Sequence, residues 1–141
     1  MDQASPALEH YKAQLLAGGV HHEATVHDDL FMAAAMLDFW RIEVDCKGVT
    51  TKAGLLTRLA DTLQFPDHFG MNLDALYDCL TDQLSGTGKK GAVLVMRNLH
   101  CNEIGEDAAT IKAVNKSLAG VFEDAVGFLR DEKVVLTVYI D

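Results

Sequence analysis

The sequence predicts an α/β fold: a three-stranded parallel sheet with helices packed on it, preceded by a helical N-terminal extension. Three observations predict it. RIEVDC (41–46), AVLVM (92–96) and VVLTVYI (134–140) read as strands. The stretches between them repeat apolar residues at i, i+3 and i+4, the mark of amphipathic helices. Crossovers of that length favour parallel strands joined by right-handed connections.

Ser5-Pro6 reads as an N-cap followed by proline at the first helical position. Leu8, Tyr11 and Leu15 continue at helical spacing, and Gly18-Gly19 stops the segment. Asp28-Asp29 can start a second helix through LFMAAAMLDF. Residues 1–40 read as an extension of the domain at 41–141. In RIEVDC, Ile42 and Val44 share one side. Thr50 or Thr51 can cap the next helix, whose stripe is Leu55, Leu56, Leu59 and Leu63. QFPDHFG ends that helix, with Pro66 and Gly70 punctuating a loop. Asn72 can cap a helix running to about Gln83. SGTGKKG is a turn; it lacks the Gly-Lys-Ser/Thr ending of a phosphate loop. AVLVM is apolar throughout, as a strand covered on both faces must be. Ile111, Val114, Leu118, Val121, Phe122, Ala125, Phe128 and Leu129 then form a long helical stripe, with Gly120 a candidate break into two helices.

The chain is long enough, at 141 residues, for one domain with a real core. Apolar content of 49% against 23% charged residues indicates a globular chain rather than a disordered one. The formal charge of -9 argues against a direct nucleic-acid binder, which needs a basic patch to displace counterions. It suits a basic partner, or simply solubility. Cys46, Cys79 and Cys101 form no CxxC pair, so neither a disulfide framework nor a zinc site is indicated. The N-terminus lacks a basic segment followed by an apolar one, and the longest apolar run, Leu30 to Leu37, is too short to span a membrane. A reducing, cytoplasmic setting is expected.

The stretch FPDHFGMNLDALYDCLTD runs from Phe65 to Asp82 and places Asp74 and Asp78 one helical turn apart. Leu76, Tyr77, Leu80 and Leu84 fall within about 60° of Leu73 on the helix. Asp74, Asp78 and Thr81 occupy the neighbouring sector, with Tyr77 at the boundary and Asp82 just beyond. Three readings compete. A solvated face accounts for Asp74, which the helix dipole favours by about 0.3–1 kcal/mol. It does not account for Asp78, because the effect fades after the first turn and like charges at i, i+4 repel. General acid–base chemistry needs partners, and only His68 is close in sequence. A binding face is the third: two carboxylates one turn apart, with about 5–6 Å between their Cβ atoms, can meet guanidinium or ammonium groups.

Other polar clusters carry less. His21, His22, Glu23 and His27 lack a helical context for metal binding and read as a polar loop or a short edge strand. Cys79 reads as a small core residue on the side of its helix away from the aspartates. His100, Cys101, Asn102 and Glu103 follow a strand, where ligands often bind in α/β folds, yet read as a loop.

FPDHFGMNLDALYDCLTD resembles the barstar family of ribonuclease inhibitors, whose pattern here is a proline, two aromatic-like positions and then G-x-N-x-D-A-L-x-D. The resemblance covers about residues 40–141 and implies a function without catalysis, cofactor or metal. An acidic helix and adjoining loop enter the active site of a small basic ribonuclease, and carboxylates take the places of RNA phosphates. By this resemblance Asp78 is the central acidic residue and Asp74 the flanking one. Gly70, Asn72 and Leu73 form the turn that presents the helix, and Thr81 is a contact at its far end. His68 stands where the founding inhibitor has a stacking tyrosine, Phe69 at the second aromatic position, and Tyr77 in place of a tryptophan. Met71 replaces an acidic residue, and Asp82 and Gln83 replace a glycine and an aromatic. Glu123 and Asp124 are the candidates for a further acidic contact from the later helix. The implied partner is a barnase-type ribonuclease or another basic protein, and the implied role includes immunity against a toxin. The alternative is an interaction module of the same fold that binds a different partner through residues 1–40.

Overall fold

The computed structural model describes residues 6–141. Ser5, the expected N-cap, lies outside them; Pro6 does open the first helix, α1 (Pro6–Ala17). Gly18 and Gly19 then take positive φ of 76° and 110°, which turns the chain straight into a strand, β1 (Gly19–His21). Helix α2 (His27–Met36) and strand β2 (Trp40–Asp45) follow. Helix α3 (Lys52–Leu63) is capped by Thr51, whose hydroxyl accepts from Gly54 N, and closes on Gln64 in the left-handed region. Helix α4 (Leu73–Ser85), strand β3 (Gly91–Arg97), a 3₁₀ turn at His100–Asn102, helix α5 (Ala108–Asp131) and strand β4 (Val135–Ile140) complete the chain.

The sheet is parallel with strand order β1-β4-β3-β2, so it has four strands where the sequence predicts three. The added strand is β1, whose Gly19, Val20 and His21 pair with Thr137, Val138 and Tyr139. Three residues are too few to show an alternating pattern, and only the edge of β4 organises them. The pairing also covers what would otherwise be an open strand edge.

Strand β3 divides the core in two. Leu94 and Met96 face a layer made of α3, α4 and α5, while Val93 and Val95 face α1 and α2. Burial on both sides explains the unbroken apolar run at 92–96. On the α1/α2 side, Leu8, Tyr11, Leu15, Leu30, Ala33 and Ala34 pack with Phe39 and Tyr139. On the other side, Leu55, Leu56, Leu59, Leu63, Leu76, Leu80, Leu84, Phe122 and Leu129 close the larger core. The chain runs from β1 to the far edge with α2 on one face, then returns through β3 to β4 with α3–α5 on the other. Crossovers of constant hand require that change of face.

Helix α5 is continuous over 24 residues, so Gly120 does not divide it. A glycine in a helix interior costs about 1 kcal/mol relative to alanine. The flanking buried stripe of Leu118, Ala119, Phe122 and Ala125 outweighs that.

Candidate partner-binding face

The loop before α4 is built to present that helix. Phe65 and Phe69 hold their ring centroids 5.1 Å apart, and Phe69 N donates to Pro66 O at 2.9 Å. Asn72 is the N-cap: its Oδ1 accepts from Ala75 N at 2.7 Å, while its Nδ2 donates back to Gly70 O at 3.1 Å. The expected cap and the turn residues Gly70 and Asn72 therefore form one hydrogen-bonded unit.

The inner face of α4 is anchored by Leu76, Leu80 and Leu84, all buried. Leu73 and Tyr77 lie half-buried at the rim of the same core. Thr81 is also buried, and its hydroxyl donates to Tyr77 O at 2.7 Å. Gln83 Nε2 donates to Leu63 O at 2.7 Å and fastens the end of α4 to the end of α3.

Asp74, Asp78 and Asp82 are exposed and follow one another at i, i+4 and i+8 on the outer face. Asp78 stands between two grooves. One runs between α4 and the loop that carries His68 and Pro66, and includes Cys79, Thr81 and Asp82. The other lies between α4 and α5, and brings Asp74, Tyr77 and Asp78 together with Glu123 and Asp124. Phe128 borders both grooves and meets Tyr77 edge-on at 6.2 Å. No Lys or Arg among the described residues lines either groove. Among the described residues, none of Asp74, Asp78, Asp82, Glu123 and Asp124 takes part in an ion pair.

The structure thus gathers His68, Asp74, Tyr77, Asp78 and Thr81 around these grooves, with Leu73 on the α5 side. Phe69 is half-buried and packs against the larger core. Met71 is 43% exposed beside the turn. Cys79 departs from its expected place in the core: it is half-buried in the groove beside Asp78. Burial pushes its thiol above the usual range, and the charges of Asp78 and Asp82 push it the same way. Phe128 is the contributor that sequence reasoning missed. At 43% exposed it leaves the α5 stripe and reaches toward α4, and its sequence signal is only its position at the edge of that stripe.

Residues 39–141 match the Barstar (barnase inhibitor) family. The chain belongs to the barstar family. A curated relative, "Putative ribonuclease inhibitor YrdF" of Bacillus subtilis (strain 168), is 70% identical over 23 residues. That match spans 16% of this chain and 25% of the relative. The barstar-family match covers α3, α4, α5 and three of the four strands; α1, β1 and α2 precede it.

Proposed function

We propose that this barstar-family protein inhibits a small basic ribonuclease without catalysing any reaction, by placing the outer face of α4 and the loop before it in the enzyme's active site. The observation that carries this reading is the row of carboxylates on α4, without ion-pair partners among the described residues and joined across a groove by Glu123 and Asp124. A ribonuclease must hold phosphates with Arg, Lys and His. Carboxylates at phosphate-like positions meet those groups, and exclusion of water on docking strengthens the attraction. His68, Tyr77 and Thr81 supply contacts around the charges, while Phe69, Gly70, Asn72 and Leu73 hold the presenting turn. The proposal includes an immunity role in a reducing cytoplasm, in keeping with three free cysteines. It also treats residues 41–141 as the inhibitory domain and 1–40 as its extension.

Calorimetric titration against a barnase-type ribonuclease at low and high salt tests the reading. Tight binding that salt weakens and that Asp78→Ala reduces at least ~30-fold is expected of a central charged contact. Binding indifferent to Asp78→Ala would refute the proposed face.

A second reading, an interaction module with a non-ribonuclease partner, is favoured by Leu16, Val26, Met32 and Met36, large apolar residues 55–60% exposed in the segment outside the family match. Partner capture that survives Asp78→Ala and is lost on deleting residues 1–40 would select it.

A further inference from the structure

The carboxyl ends of β1, β4 and β3 open on a cavity of about 470 Å³, away from the His68 groove. Open parallel sheets bind ligands at this end, and the size lies within the range of small-molecule sites, about 300–1,000 Å³. The loop of His100 and Glu103, which follows β3 and reads as a plain loop in sequence, forms one wall with His22, and Lys112, Asn115, Lys116, Gly120 and Glu123 of α5 form another.

The polar wall is held in place. Asn115, only 3% exposed, donates through Nδ2 to Glu103 Oε2 at 2.8 Å. The same carboxylate oxygen lies 2.6 Å from His100 Nδ1. The loop beneath is tied down by Asn102, whose Nδ2 donates to Cys46 O at 2.6 Å. The Asn115 hydrogen bond, with that of His100, holds the Glu103 carboxyl below its ordinary range against the opposing effect of burial. The carboxylate in turn orients the imidazole, as outer-shell carboxylates do in built sites. Asn115 Oδ1 lies buried behind this wall with no hydrogen-bond partner among the described residues.

Lys112 and Lys116 stand one turn apart and make no ion pair among the described residues. With His22 and His100, whose rings lie 6.4 Å apart, they set cationic and donor groups beside the carboxylates of Glu103 and Glu123 in the same cavity. Gly120 has no packing reason to be glycine, since a Cβ there would meet nothing within 4 Å. Its bare backbone keeps this part of the cavity open.

We propose that this cavity binds a small hydroxylated organic phosphate of nucleoside-monophosphate size. Lys112 and Lys116 meet the phosphate as point charges. Glu103 and Glu123 offer carboxylate oxygens to hydroxyl groups, and the two imidazoles flank the remainder. The cavity shares Glu123 with the α4–α5 groove but uses none of the α4 carboxylates, so this proposal does not rest on the ribonuclease reading.

The test is calorimetry with amide chemical-shift mapping on the full chain, using AMP, inorganic phosphate and adenosine as separate probes. Saturable AMP binding is expected, at least about tenfold tighter than either part alone, with shifts centred on 112–120 and on His22 and His100. Lys116→Gln should weaken it about tenfold. Gly120→Leu should abolish it while the melting temperature stays at or above that of the parent chain, because the new side chain enters open space and leucine is the better helix former. Asp78→Ala should leave it unchanged. Absence of saturation with AMP, equal binding of phosphate or adenosine alone, or full binding by the folded Gly120→Leu variant would overturn the proposal.

Discussion

The carboxylates of β2 and those of α4 are treated differently by the fold. Glu43 Oε2 receives Arg97 at 2.8 Å and has His27 at 3.5 Å. Asp45 accepts from Asn98 at 2.9 Å and from Lys47 N at 3.0 Å. On α4, Asp74, Asp78 and Asp82 have no ion-pair partners among the described residues, although the chain carries 12 Lys and Arg residues. Parallel pairing accounts for the first case: register sets Glu43 beside Val95 and Asp45 beside Arg97, so donors from the neighbouring strand and its exit loop come within reach. Helix α4 has α5 as its neighbour, and the α5 residues that share its groove bring more carboxylates. Charge satisfied within the chain is part of its architecture; charge held rigidly and left unsatisfied is available to another molecule.

The comparison can be broken most forcefully from the inside of α4. Leu80→Ala, at a fully buried position, should cost about 2–5 kcal/mol in urea unfolding and lower partner binding only in proportion to unfolded protein. Asp78→Ala, on the outside of the same helix, should do the reverse. Its unfolding free energy should stay within about 0.5 kcal/mol of the parent, while affinity for the ribonuclease falls by about 2 kcal/mol or more. If Asp78→Ala destabilised the chain as Leu80→Ala does, the two faces would not be separable.

Smaller effects sharpen the contrast. Asn72→Ala removes the cap that starts α4 and should cost about 1 kcal/mol of stability in the same assay. Glu43→Gln breaks an exposed pair on β2 and should cost about 0.2–1 kcal/mol, less at high salt. The smallest effect is one of pH. The Asn98 hydrogen bond, then that of Lys47 N, lowers the Asp45 pKa in the folded state. The stability it contributes is therefore present above the ordinary carboxylate pKa of about 4. It is lost as pH falls through the lowered folded value. Asp45→Asn should flatten that part of the melting-temperature profile, and an unchanged acid limb would show that Asp45 contributes nothing there.

Much of this was legible without coordinates. The caps at Thr51 and Asn72 were readable because the hydroxyl or amide stands directly before an apolar stripe. The leucine stripes of α3 and α4 were readable because burial and period coincide. Phe128 and Cys79 were not: each lies at a stripe edge, where a small rotation of the helix decides between core and groove. The three residues of β1 carry no period, and Gly120 looked like a break because local propensity cannot weigh the packing of a whole helix. Asn115 and Glu103 meet across 12 residues through the docking of α5, and no spacing rule announces that contact.

The parallel α/β class, the order of its principal elements and the placing of Asp74 and Asp78 on one helical face are all written in the local pattern of residues. These follow from periodicity and capping, which act within a few residues along the chain. Long-range packing, by contrast, adds β1 to the sheet, lays α1 and α2 over its second face, and brings Glu123 and Asp124 to the α4 carboxylates. Those outcomes depend on which surfaces must be buried against each other, and residues far apart in the chain set that balance together.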